Sequence, residues 1–166
     1  MIKSLSLRIS PLLISLLIYV FYRSELTLIN QAIGIFLPLA DLLKYQEQVQ
    51  TALPLPNWII YSLPEGLWVL FVTLISKEFY FTSQSKNYSL VFFPILLAIC
   101  IEVFQYFQLT DGTFDWLDLG VALFFWGLTC FLLPPRFNIL QLKNAFNIRG
   151  ILLISSYLIV ILSDVF

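Results

Sequence analysis

The sequence predicts an all-α fold: a polytopic membrane helix bundle forming one domain over residues 1–166. Three observations carry this. The 166 residues are 60% hydrophobic and only 11% charged, against roughly 45–50% and 25% in soluble domains. Mean hydropathy is +0.90. The apolar residues gather in about five runs whose helical length, at 1.5 Å per residue, approaches the roughly 30 Å hydrocarbon core of a bilayer.

The runs follow in order. The first, about 6–22, is preceded by Lys3 and Arg8 and followed by Arg23-Ser24-Glu25 in place of a small-residue cleavage site, so it reads as a retained helix. Residues 26–56 are more polar. Within them Leu39, Leu42, Leu43 and Val49 alternate with polar residues, which predicts an interfacial helix over about 38–51; a sixth span over 26–43 is the alternative, opposed by Asn30, Gln31 and Pro38. Pro54 and Pro56 close the segment, and Trp58 and Tyr61 have the character of interface anchors.

Ser62 reads as a helix N-cap with Glu65 in capping-box position, opening a second span over about 63–79. A third covers about 88–107 and a fourth about 115–133, stopped by Pro134-Pro135. The fifth covers about 148–162. With the N-terminus cytoplasmic, Lys3, Arg8, Lys77, Lys86, Arg136, Lys143 and Arg149 all fall inside, and only Arg23 and Lys44 outside. The expected topology is therefore N-in and C-out.

Composition also excludes several functions. A net charge of −1 without clustered Lys or Arg offers no surface for nucleic acid. The chain has no histidine, which removes Ser-His-Asp catalysis and imidazole metal ligation. Cys100 and Cys130 lack C-x-x-C spacing and read as small buried hydrophobes.

The polar residues left inside apolar runs mark a candidate site. Glu102 interrupts the third run, Gln105 shares its helix face, and Asp111, Asp115 and Asp118 follow. An ionisable group at membrane depth costs roughly 2.5–3.5 kcal/mol on insertion scales and is retained where it lines a cavity or pathway. The N-in topology brings the outer ends of three spans together, so Glu65, Glu102, Gln105, Asp115 and Asp118 converge in one leaflet, with Asp111 in the connecting turn. No Lys or Arg occurs between Lys86 and Arg136, and only Arg23 or Lys44 is placed to reach the acids from outside. Charge balance then calls for protonated carboxyls or for a cation from elsewhere: a divalent metal, with Asp115 and Asp118 as candidate ligands, or a substrate amine. No other cofactor is indicated.

These residues resemble the VanZ-like family of small bacterial integral membrane proteins. The similarity lies in Glu102-x-x-Gln105 near the outer end of one helix and Thr113-Phe114-Asp115-x-x-Asp118 opening the next. The chain reads as a divergent member: Gly112 stands where that family usually has an arginine, Ala122 where asparagine is usual and Phe125 where glycine is usual. The resemblance implies a multi-pass protein of the bacterial inner membrane with a role in the cell envelope, and supplies no reaction. The expected function is an outward-facing acidic and amide pocket for a polar or cationic ligand or a lipid-linked envelope precursor. The expected partners are membrane lipids, such a precursor, or another membrane protein. Two alternatives stand beside it. One is a membrane-embedded hydrolase of a lipid-linked substrate with Glu102 as its acid or base; the other is a small transporter or structural subunit.

Overall fold

A predominantly apolar helix is satisfied only by burial or by lipid, and the stretch from Asn57 to Ser76 is such a helix. In the computed structural model it is the axis of the fold. The structure describes residues 2–24, 28–84, 86–110, 112–132, 140–141 and 148–165. Among these are seven α-helices: α1 (Ile2–Tyr22), α2 (Leu28–Gly34), α3 (Leu39–Ala52), α4 (Asn57–Ser76), α5 (Phe93–Tyr106), α6 (Trp116–Leu132) and α7 (Ile148–Val165). Three short strands, β1 (Phe79–Ser83), β2 (Lys86–Ser89) and β3 (Leu140–Gln141), form one sheet in the order β2-β1-β3. The protein is thus mostly helical, as expected, with a small sheet that the all-α expectation did not include.

Helix α4 packs against α6 and α1 along most of its length and against α5 and α7 over shorter contacts. Residues 66–73 of α4 are buried without interruption. Trp68, Phe71 and Val72 join Ile95 and Ala98 of α5, Ala122 of α6 and Leu153 of α7 in one core. Gly66 permits the closest approach: a Cβ built there would lie 2.5 Å from both Phe125 Cδ2 and Val121 Cγ1 of α6. Polar groups add specific ties, with Trp68 Nε1 donating to the Ser156 carbonyl at 3.2 Å and Lys77 Nζ donating to the Thr129 and Cys130 carbonyls at 2.8 and 3.1 Å. The lysine thereby satisfies carbonyls that the last turn of α6 leaves unpaired, and its charge suits that end of the helix dipole.

By length and composition α4 can cross a membrane; Ile9–Tyr22, Leu90–Tyr106 and Trp116–Phe131 are shorter apolar helices. Several boundaries differ from those expected. Helix α4 starts five residues before Ser62, after Pro56, so Ser62 is an interior, buried residue and the capping box with Glu65 does not form. Pro64 sits inside the helix, and its carbonyl accepts from Ser15 Oγ of α1 at 3.2 Å. The helix ends at Ser76 rather than 79, because Phe79-Tyr80-Phe81-Thr82 is aromatic and β-branched and pairs antiparallel with β2, Tyr80 facing Ser89. Residues 88–92, expected to begin the third span, instead complete β2 and a single 3-10 turn over Leu90–Phe92. The polar segment holds the expected helix α3 and also the short α2.

Cys100 is exposed, contrary to the reading as a buried hydrophobe. It belongs to the outward stripe Leu96, Ile99, Cys100 and Val103 of α5, at the i, i+3, i+4, i+7 spacing of one helix face. Similar stripes of exposed apolar residues cover α1 (Leu13, Ile14, Leu16, Leu17), α6 (Leu123, Phe124, Phe131) and α7 (Ile151, Ile154, Leu158).

Candidate functional site

One end of the bundle gathers the C-terminal ends of α1 and α5 and the N-terminal ends of α4 and α6; the sheet follows the opposite end of α4. Glu65, one turn into the buried part of α4, Glu102 of α5 and Asp118 in the first turn of α6 each place a carboxylate oxygen within 4.8 Å of the other two. Glu102 is 2% exposed, while Glu65 and Asp118 are half-buried. Three helices thus deliver one acid each to a single point.

Two of these acids also organise the end of α6. Glu102 Oε2 accepts the Asp115 backbone N–H at 3.1 Å, and Asp115 Oδ1 accepts the Leu117 N–H at 2.8 Å. Asp115 is therefore the N-cap of α6, with its side chain on one of the free amides of the first turn. Of the two acids expected side by side at the start of this helix, Asp118 lies with Glu65 and Glu102, and Asp115 stands at the helix cap. Asp118 also bonds to the Ser62 hydroxyl. Its Oδ1 is buried without a hydrogen-bond partner among the described residues.

Asp118 and Asp115 open onto a cleft of about 500 Å³, whose other walls include Gln105, Gly112, Thr113, Leu117, Ser62, Tyr61, Trp58, Asn57 and Arg23. Gly112 has φ +113°, and a Cβ built at position 112 would lie 2.8 Å from the Gln105 amide Nε2. A side chain there meets both a disfavoured backbone conformation and the amide, so glycine is required. Asp111 lies outside the described residues.

Arg23 supplies the cation of the cleft. Its guanidinium lies 5.0 Å from the Tyr19 ring centre and 4.9 Å from that of Tyr61, and its charge acts on Asp118. The chain just after α1 is held in place by side-chain amides. Gln46 Nε2 of α3 donates to the Val20 carbonyl at 2.7 Å, Gln50 Nε2 to that of Phe21 at 2.7 Å, and Asn30 Nδ2 of α2 to that of Ser24 at 2.9 Å. These amides occupy carbonyls that the end of α1 leaves without intrahelical partners. The polar residues of the 26–56 segment thus have a definite task, which helical periodicity alone does not disclose. Lys44, the other cation considered, is exposed on α3 and is not part of the cleft wall.

Three carboxylates this close repel one another when ionised. At an effective dielectric of about 20, each ionised pair near 4.8 Å repels by roughly 3–4 kcal/mol. Each charge in such a cluster disfavours the ionised form of its neighbours, and a nearby cation offsets that cost. Comparison with models of known protein families, with curated proteins and with solved structures returned no match to this chain.

Proposed function

We propose that this chain is a multi-pass protein of the bacterial inner membrane whose acidic cleft, at the extracytoplasmic face, binds a polar ligand bearing a positive charge, in the manner of a divergent VanZ-like envelope protein. The observation that carries the reading is the meeting of Glu65, Glu102 and Asp118 from three helices beside a cleft of ligand size, since binding sites occupy about 300–1,000 Å³. The outward apolar stripes of α1, α5, α6 and α7 support membrane embedding, because soluble monomers rarely expose contiguous apolar patches beyond a few hundred Å². Orientation rests on charge: Lys77 and Lys86 lie at the end remote from the cleft, and basic residues accumulate on the cytoplasmic side.

A divalent cation is the simplest occupant. Two oxygens that each lie 2.3–2.6 Å from one Ca2+ are at most about 4.6–5.2 Å apart, and the three carboxylate oxygens, all within 4.8 Å of one another, are close enough together to share such an ion. An organic ammonium fits the same charge. The hydrolase alternative is weaker, because Glu102, its candidate acid or base, has Oε2 engaged with the Asp115 N–H.

The reading is tested by thermal unfolding of the purified full chain across millimolar series of CaCl2, MgCl2 and ethanolamine. At a ligand concentration 100 times Kd, stabilisation is about 2.7 kcal/mol. At least one of the three should raise Tm in the parent, and Asp118→Asn should abolish the increment. A Tm that ignores all three overturns the reading.

Topology has its own check. With Cys100 and Cys130 replaced by alanine, single cysteines replace Thr113, on the cleft wall, or Lys86, in β2, in separate proteins. A membrane-impermeant thiol reagent applied to intact cells should label position 113 and spare 86. The reverse pattern would place the acids in the cytoplasm.

A further inference from the structure

The cleft carries both signs of charge, and its cation is not fully used. Arg23 rests over two tyrosine rings, and its Nε is buried without a hydrogen-bond partner among the described residues. Burying a guanidinium donor without an acceptor is costly, and the planar fork of arginine favours bidentate binding of phosphate or carboxylate oxygens. On the wall of the same cleft, Asp118 has a buried carboxylate oxygen that also lacks a partner among the described residues. A ligand with a single positive charge answers only the acids and leaves the arginine as it was.

We infer that the cleft takes a phosphate ester carrying an ammonium group, with phosphate oxygens on Arg23 and the ammonium on Asp118 and the acids behind it. A phosphoethanolamine lipid headgroup and soluble O-phosphoethanolamine share this chemistry. The cleft mouth suits the lipid form, since Trp58 and Leu117 on its walls are 50% and 46% exposed and Trp116 beside it is 74% exposed. Indole rings favour the headgroup level of a bilayer. This inference rests on the proposed cation-binding cleft and adds to it the anionic half of the ligand.

The experiment measures calorimetric binding of O-phosphoethanolamine, ethanolamine and inorganic phosphate to the full chain in maltoside detergent. Nanodiscs of phosphatidylethanolamine are then compared with nanodiscs of phosphatidylglycerol by Tm. The phosphorylated amine should bind the parent about tenfold or more tightly than ethanolamine does. Arg23→Gln should remove that advantage, with ethanolamine binding as tightly or more tightly once the neighbouring positive charge is gone, and Asp118→Asn should weaken both amines. Arg23→Lys, which keeps the charge without the fork, should retain part of the advantage, and this guards against a folding defect in the glutamine variant. A larger Tm in phosphatidylethanolamine than in phosphatidylglycerol, with weak binding of the soluble ester, identifies a lipid ligand; equal Tm values with tight soluble binding identify a free one. If ethanolamine binds and phosphorylation adds nothing, the inference fails while the cation-binding reading stands. If no amine binds and the divalent metals also leave Tm unchanged, both fail.

Discussion

Replacing Gly66 with leucine will drive α4 and α6 apart. The first side-chain carbon at position 66 already falls 2.5 Å from Phe125 and Val121, and leucine adds three more carbons to the same space. Overpacking costs typically 1–3 kcal/mol and more where neighbours cannot yield. Here they must yield along the main interface of the central helix. Alanine is a finer test. The obstructing atoms belong to the rigid ring of Phe125 and the β-branched side chain of Val121, and both must retreat by roughly 1 Å to reach ordinary van der Waals distance, which outweighs the about 0.5–1 kcal/mol that alanine gains over glycine inside a helix. Gly66→Ala should therefore lower Tm modestly, while Gly66→Leu should lower it by several degrees more and weaken every ligand that depends on the Glu65–Asp118 approach. A leucine variant as stable as the parent would show that the two helices do not pack at this distance.

The second large effect separates the two tasks of Glu102. Glu102→Ala removes the acceptor of the Asp115 N–H and leaves a partly buried donor unpaired, at about 1–3 kcal/mol. Truncation of a side chain that is 2% exposed adds the penalty of the space left behind. Glu102→Gln keeps an acceptor oxygen at nearly the same place and removes one charge from the cluster. Without added cation, the glutamine protein should thus be as stable as the parent or more so, because the like-charge repulsion is relieved, and it should respond less to cations. The alanine protein should be less stable under all conditions. Thermal unfolding of the two variants with and without Ca2+ reads this directly. Equal losses in both would mean that the charge of Glu102, rather than its hydrogen bond to α6, holds the end of the bundle.

Glycine 112 makes a smaller contribution of the same kind. Its φ of +113° and the Gln105 amide 2.8 Å from a built Cβ predict that Gly112→Ala leaves the bundle folded and disturbs the cleft wall alone.

The sequence by itself determined where the helices run and which end of each carries polar groups, because both are local properties. Hydropathy and proline positions mark the helices, and a spacing of three residues puts Glu102 with Gln105, or Asp115 with Asp118, on one helix face whatever surrounds them. The amide residues of 26–56 were visible as well, but as a polar segment and not as the ties that hold the end of α1. Tertiary structure alone decided how each helix is rotated about its axis. In this chain nearly every face is apolar, so hydrophobicity does not distinguish the face that meets a neighbour from the face that meets the surroundings. Cys100 is exposed for that reason, Asp118 and not Asp115 joins Glu65 and Glu102, and Arg23, 79 positions from Glu102 in the chain, lines the same cleft as Asp118. The small sheet was missed on different grounds: β1 and β2 are four or five residues each, and strands of that length become stable only when a third strand and the packed helices support them.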